Sequence, residues 1–201
     1  MIILALDQST SHTGYCVIVD GALGDMGVIN VPDSLDLNMR TVAMCHDVEK
    51  LIQKYHPDYL VLEEIFALPG RYNAIKALAI LRGALVYLWW LRSLSCPIVL
   101  HCNTARVQLG IKGNAQKLDV MNAVNSKFNL NVTNEHVSDA VVLAVVASAM
   151  LTSGKTELAK PEKVARKKKF RKNSKSNKKY GYNYDKDYSK TSKRSKKMRA
   201  K

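Results

Sequence analysis

The chain has 201 residues and a formal net charge of +14, from 31 Lys and Arg against 17 Asp and Glu. The excess sits at one end: residues 155–201 carry 20 basic and 4 acidic side chains, net +16, and residues 1–154 carry the remaining 11 and 13, net −2. This length fills one core and excludes two sizeable domains. The charge division excludes a basic folded surface and leaves a near-neutral globular part, residues 1–154, with a polycationic extension, residues 155–201.

The first element is Ile2-Ile3-Leu4-Ala5-Leu6, an unbroken apolar run ending in Asp7. That is the pattern of a fully buried strand delivering an acid to its end. Thr13-Gly14-Tyr15-Cys16-Val17-Ile18-Val19 is a second β-rich run, so the two read as a hairpin with Asp7 at its base. Taken alone, Asp7 is open to two readings, a turn cap or a site carboxylate. A third strand, Gly24 to Val31, completes an antiparallel meander. From Leu37 to Tyr55 the period changes, with Val42, Met44, Cys45, Val48, Leu51, Ile52 and Tyr55 spaced as on an amphipathic helix. Pro57 ends it. Tyr59-Leu60-Val61-Leu62-Glu63-Glu64-Ile65-Phe66 is a strand ending in acid, and the preceding helix permits a right-handed crossover that sets it parallel to the first strand. Alternation sends Glu63 and Glu64 to opposite faces, so one of them shares a site with Asp7.

Arg71 to Ser95 is predicted helical, with Trp89 and Trp90 near its end and core packing expected of at least one. Ile98 to Cys102 is a fifth strand, Asn103 to Val107 a turn with helix-start character, and Gln116 to Phe128 a helix. The last element starts at Asn134-Glu135-His136-Val137-Ser138-Asp139 and runs apolar to Leu151, capped by Thr133 or Asn134. Asp139 lies more than a turn inside, too deep to serve simply as a complement to the helix N-terminus.

Asp7, one of Glu63 or Glu64, and Asp139 with His136 or Glu135 thus converge from two strand ends and a helix start. Gathered carboxylates resist joint ionisation unless cations hold them, and hard oxygen ligands suit Mg²⁺ or Mn²⁺. Two such ions about 3.5–4 Å apart activate water and stabilise a leaving oxygen in phosphodiester cleavage.

Cys16, Cys45, Cys96 and Cys102 show no CxxC or zinc spacing and read as reduced, largely buried thiols of an intracellular protein. The N-terminus has no basic region before its short apolar run, so no signal peptide is expected. The longest apolar runs, Ala84–Leu91 and Ala140–Leu151, fall short of the roughly 18–20 residues of a membrane span. The expectation is a soluble intracellular protein with no membrane partner.

The element order β-β-β-α-β-α-β-α, with Leu4-Ala5-Leu6-Asp7-Gln8-Ser9, Leu62-Glu63-Glu64-Ile65-Phe66 and His136-Val137-Ser138-Asp139-Ala140, resembles the RuvC-like Holliday junction resolvases of the RNase H-like superfamily over residues 1–150. The resemblance implies an α/β fold, an RNase H-like mixed five-stranded sheet of three antiparallel strands followed by parallel strands, flanked by helices. It implies catalytic, metal-holding residues at Asp7, Glu63, His136 and Asp139, two Mg²⁺ ions with Mn²⁺ as substitute, four-way junction DNA as substrate and a homodimer. A two-fold dimer suits a substrate of near two-fold symmetry, and the long apolar helix from Arg71 to Ser95 is the expected dimer surface. By the same resemblance Phe66 matches an aromatic set against unpaired bases. Arg106 and Lys117 match basic positions on the DNA backbone, and the stretch Gly110 to Lys117, with Lys112, matches the glycine-containing loop before that lysine.

The tail departs from the cellular form of the family, and phage or other viral versions are one source for such a chain. Residues 155–201 have almost no core-forming aliphatics and are expected to be disordered in isolation. Nucleic-acid binding is their expected role, with Lys167, Lys168, Lys169, Arg171 and Lys172 as contacts and Tyr180, Tyr182, Tyr184 and Tyr188 interleaved for stacking. Two rival readings stand beside the nuclease. Leu4 to Thr10 also resembles the phosphate-binding opening of actin-like sugar kinases, whose second domain has no room here. A non-catalytic branched-DNA-binding module predicts missing acids, whereas the acid positions are filled.

Overall fold

The apolar run that opens the chain becomes the central strand of a five-stranded sheet. A computed structural model describes residues 1–66 and 70–154. Its elements are β1 (Ile2–Asp7), β2 (His12–Val19), β3 (Ala22–Asn30), α1 (Leu37–Tyr55), β4 (Tyr59–Glu63), α2 (Tyr72–Ser93), β5 (Ile98–Leu100), α3 (Cys102–Gln108), α4 (Lys117–Phe128) and α5 (Glu135–Thr152). The sheet order is β3-β2-β1-β4-β5. β1 and β2 are antiparallel, as are β2 and β3, whereas β4 lies parallel to β1 and β5 parallel to β4. This is the mixed sheet expected from the sequence.

Because strand side chains alternate between faces, β1 contributes to two cores. Ile3 and Ala5, with Cys16, Ile18, Val61 and Leu100, pack against α5 and α4. Leu4 and Leu6, with Val17, Leu60 and Leu62, pack against Met44, Val48 and Ile52 of α1 and Leu81, Leu85 and Trp89 of α2. The same alternation puts Asp7 and Glu63 on the α5 face, following Ala5 and Val61.

The helix ends follow from local chemistry. Asp36 caps α1, its side chain accepting from the amides of Asn38 and Met39. His56, before Pro57, takes a left-handed conformation that stops the helix. Asn134 caps α5 by accepting from His136 N at 2.9 Å, a contact of the kind that stabilises a helix by about 1 kcal/mol.

Several boundaries differ from expectation. β5 ends at Leu100 because His101 turns to cap α3, its Nδ1 accepting from Asn103 N at 3.1 Å. The stretch expected to be a turn is therefore a helix from Cys102. β4 ends at Glu63, and Glu64 N donates to Leu100 O at 2.9 Å. The apolar runs thought too short for a membrane lie inside longer helices. α2 and α5, at 22 and 18 residues, are long and apolar enough to cross one by length and composition. α5, however, buries residues all round in the core, and α2 buries Leu81, Leu85 and Trp89 in the core that includes α1 and one face of the sheet. Trp89 is buried and Trp90 half exposed. All four cysteines are free; Cys16 and Cys102 are buried and Cys96 is exposed. The expectations for the tail, including Lys167, Lys168, Lys169, Arg171 and Lys172, lie outside the described residues.

Candidate active site

Asp7 ends β1 and is 7 % exposed, which for a carboxylate demands a partner. It has one in His136, whose Nδ1 lies 2.7 Å from Asp7 Oδ2. The contact depends on how closely α5 approaches the sheet. Gly14 is the register partner of Asp7 and shares its sheet face with Cys16 and Ile18. A Cβ built on Gly14 would stand 2.1 Å from the His136 carbonyl oxygen and 2.8 Å from Val137 N. Only a glycine lets the helix start sit there, and that seat brings His136 to Asp7.

Glu63 ends the neighbouring parallel strand. Its backbone is tied to Gln8, which follows Asp7: Gln8 Nε2 donates to Glu63 O at 2.7 Å, and Glu63 N donates to Gln8 Oε1 at 3.0 Å. Glu64 is exposed, so Glu63 is the acid that joins Asp7. Burial first, then Asp7 beside it and the charge of Asp139, push the Glu63 carboxyl from an ordinary 4.5 up to about 9. The hydrogen bond to Asp7 raises the His136 pKa.

Asp139, on the next turn of α5, faces Arg106 of α3. Arg106 Nη2 donates to both carboxylate oxygens, at 2.7 and 2.9 Å, and Nε to Oδ1 at 3.2 Å. Both side chains are nearly buried. Cys102 Sγ completes the surroundings 3.5 Å from Oδ1. Burial raises the Asp139 pKa, and Arg106 opposes that shift. Burial also drives the Cys102 thiol far up, so it is neutral. Among the described residues, no three His, Cys, Asp or Glu side chains are gathered as a single ion's shell. Asp139 is turned onto Arg106, and His136 onto Asp7.

The residues expected around the site fall in different places. Phe66 is exposed and packs on His101, with ring centroids 3.9 Å apart. Arg106, expected on the DNA backbone, is engaged inside the site. Lys117 opens α4, exposed, and pairs with Glu135. Lys112 is exposed in the turn between α3 and α4. Sequence reading gave no site role to Gln8, Gly14, His101 and Cys102. The one signal available was a glycine inside a β-rich run, which marks a close backbone approach.

A mixed sheet whose adjacent parallel strands β1 and β4 both end in acids, with a further acid on the last described helix, has the RNase H-like architecture. The chain matches the family described as crossover junction endodeoxyribonuclease RuvC over residues 3–147, and it belongs to that family. It is similar to the crossover junction endodeoxyribonuclease RuvC of Protochlamydia amoebophila, 31 % identical over 75 % of this chain and 92 % of the relative. It is also similar to that of Brachyspira hyodysenteriae, 27 % identical over 72 % and 92 %. The Thermus thermophilus RuvC solved in complex with Holliday junction substrate shares the fold, with TM-score 0.64 and 16 % identity over 77 % of this chain and 96 % of that one. Family membership displaces the phosphotransferase reading.

Proposed function

We propose that the chain is a divalent-metal-dependent endonuclease that nicks four-way and related branched DNA by phosphodiester hydrolysis, with Asp7, Glu63, His136 and Asp139 holding two Mg²⁺ ions, or Mn²⁺ in their place. One observation carries this reading: Asp7 and Glu63 end the adjacent parallel strands β1 and β4, and the first turns of α5 bring His136 to 2.7 Å from Asp7 and Asp139 near enough for its charge to act on Glu63. The donor set fits hard cations, being mostly carboxylate oxygen with one imidazole nitrogen. The electrostatics fit as well. The raised Glu63 carboxyl reflects its burial and the negative charge beside it, whereas Asp139, neutralised by Arg106, would exchange that partner for a cation. When bound, such ions lower the pKa of a water and stabilise the leaving oxygen.

The chain's own residues do the rest. His136 and Asp7 orient one another, Gly14 sets their approach, and Arg106 holds Asp139 until the site is loaded. Phe66, exposed beside the site, offers a ring for an unpaired base. Lys112, exposed in its turn, and Lys117, exposed at the start of α4 and paired with Glu135, would meet phosphates, which position DNA without reading its sequence.

In this reading residues 1–154 are the nuclease domain and residues 155–201 a DNA-binding tail, with Lys167, Lys168, Lys169, Arg171 and Lys172 among its contacts. The protomers pair through α2. Opposite the buried Leu81, Leu85 and Trp89, this helix exposes Ile80, Tyr87, Leu91 and the following Leu94 along one stripe.

The test is nicking of a synthetic four-way junction against linear duplex. The expected result is cleavage of the junction with Mg²⁺ or Mn²⁺. Asp7→Asn is expected to bind the junction as tightly while cleaving at least about 10²-fold more slowly, as for loss of a group acting in the transition state. No cleavage with either ion, or full cleavage by the variant, overturns the reading.

A further inference from the structure

β1 and β4 run in register from Ile3↔Tyr59 to Leu6↔Leu62, and their strand pairing stops there. The next residues, Asp7 and Glu63, are the acids. With no strand pairing between them here, each acid is tied only to its outer neighbour, Asp7 to Gly14 and Glu63 to Leu100. Gln8 closes the gap with its side chain. Its amide nitrogen donates to Glu63 O and its amide oxygen accepts from Glu63 N, at 2.7 and 3.0 Å. One side-chain amide thus exchanges both hydrogen bonds with one residue, as two backbone peptides do in an antiparallel pair. Gln8 is only 6 % exposed. A carboxamide buried to that degree is costly unless both its ends are bonded, and here both are bonded to the same acid. The pairing also fixes which end of the amide is nitrogen, since Glu63 N can only donate and Glu63 O only accept.

We infer that Gln8 is a positioning residue for the metal site: its amide locks the Glu63 backbone to the end of β1 and so holds the Glu63 carboxylate at a fixed distance from Asp7. This rests on the reading of Asp7 and Glu63 as metal ligands. Gln8 does not touch the reacting atoms. It acts through Glu63, as outer partners act on the ligands they orient. The role needs the length of Gln as well as its amide, because Asn is one methylene shorter and does not reach both groups.

The test compares Gln8→Met, which keeps the shape without the polar ends, and Gln8→Asn, which keeps the amide without the reach, with the wild-type full chain. Mn²⁺ binding is followed by calorimetry, and exchange of the Glu63 backbone amide by NMR. Circular dichroism and near-wild-type exchange in β2 and α5 establish that each variant is folded. The expected result is faster Glu63 amide exchange together with Mn²⁺ binding weakened by about tenfold or more in both variants, the range seen when outer partners of metal ligands are removed. If the Glu63 amide exchanges faster while Mn²⁺ affinity stays at the wild-type value, Gln8 is only a tie between strands and the inference is overturned. Wild-type affinity in Gln8→Asn alone also overturns it, because reach then plays no part. Failure of the wild-type chain to bind Mn²⁺ is a different outcome: it removes the metal reading itself, and the inference with it.

Discussion

At the scale of single residues, the site stores unfavourable charge. Glu63 has a carboxyl pKa lifted from 4.5 to about 9 by burial and by its neighbours Asp7 and Asp139. Asp139 is lifted by burial, and the Asp7 hydrogen bond raises His136. A carboxyl whose folded pKa exceeds its unfolded value binds its proton more tightly in the folded chain, so stability falls as pH rises between the two values. The raised His136 acts in the same sense, because its stabilising contribution is lost as pH rises through its folded pKa. All three act in one direction, and Glu63 sets the window: the metal-free protein is predicted to melt at progressively lower temperature from about pH 5 to about pH 9, and saturating Mg²⁺ to flatten the trend. Thermal melts across that range check it, and an unchanged slope with the ion present contradicts the site. The acids themselves were legible in the sequence, since each ends an apolar run or opens one. Their partners were not. Arg106 reaches Asp139 across 33 residues of chain, and no local pattern reports such a pairing. Gln8 reads as an ordinary loop residue until the strand beside it is known.

At the scale of elements, β1, α1, β4 and α5 were readable because periodicity and acid or cap placement coincide in them. The end of β5 and the start of α3 were not, because His101 and Cys102 prolong a strand-like run while His101 is in fact capping a helix. The docking of α5 on β2 was equally hidden: it turns on the missing side chain of Gly14. Gly14→Ala is predicted to force the start of α5 off the sheet, because the added methyl meets rigid backbone rather than a flexible side chain. The cost is expected in the upper part of the roughly 1–3 kcal/mol typical of overpacking, with junction cleavage lost disproportionately as His136 moves from Asp7. Denaturant unfolding and cleavage rates measured on the same samples check both halves of this expectation.

For the whole molecule, two features invite tests. The apolar stripe on α2 predicts that a Tyr87→Asp, Leu91→Asp double variant sediments as a monomer while the wild type is dimeric. These side chains are 62 % and 54 % exposed, so the fold should tolerate the change, and equal sedimentation of the two proteins refutes the stripe as the contact. The charge division predicts that truncation after Gly154, which removes net +16, weakens DNA binding and flattens its dependence on salt, because fewer counterions are released. An unaltered salt slope contradicts that role for the tail. The position of α5 also bears on biosynthesis. The strands that carry Asp7 and Glu63 are translated early and have every backbone partner they need by Leu100, but His136 and Asp139 arrive only with the last helix of the described chain. In the proposed reading a nascent or prematurely terminated polypeptide holds half a metal site and cannot cut, so the ability to break DNA is acquired only when the fold is closed.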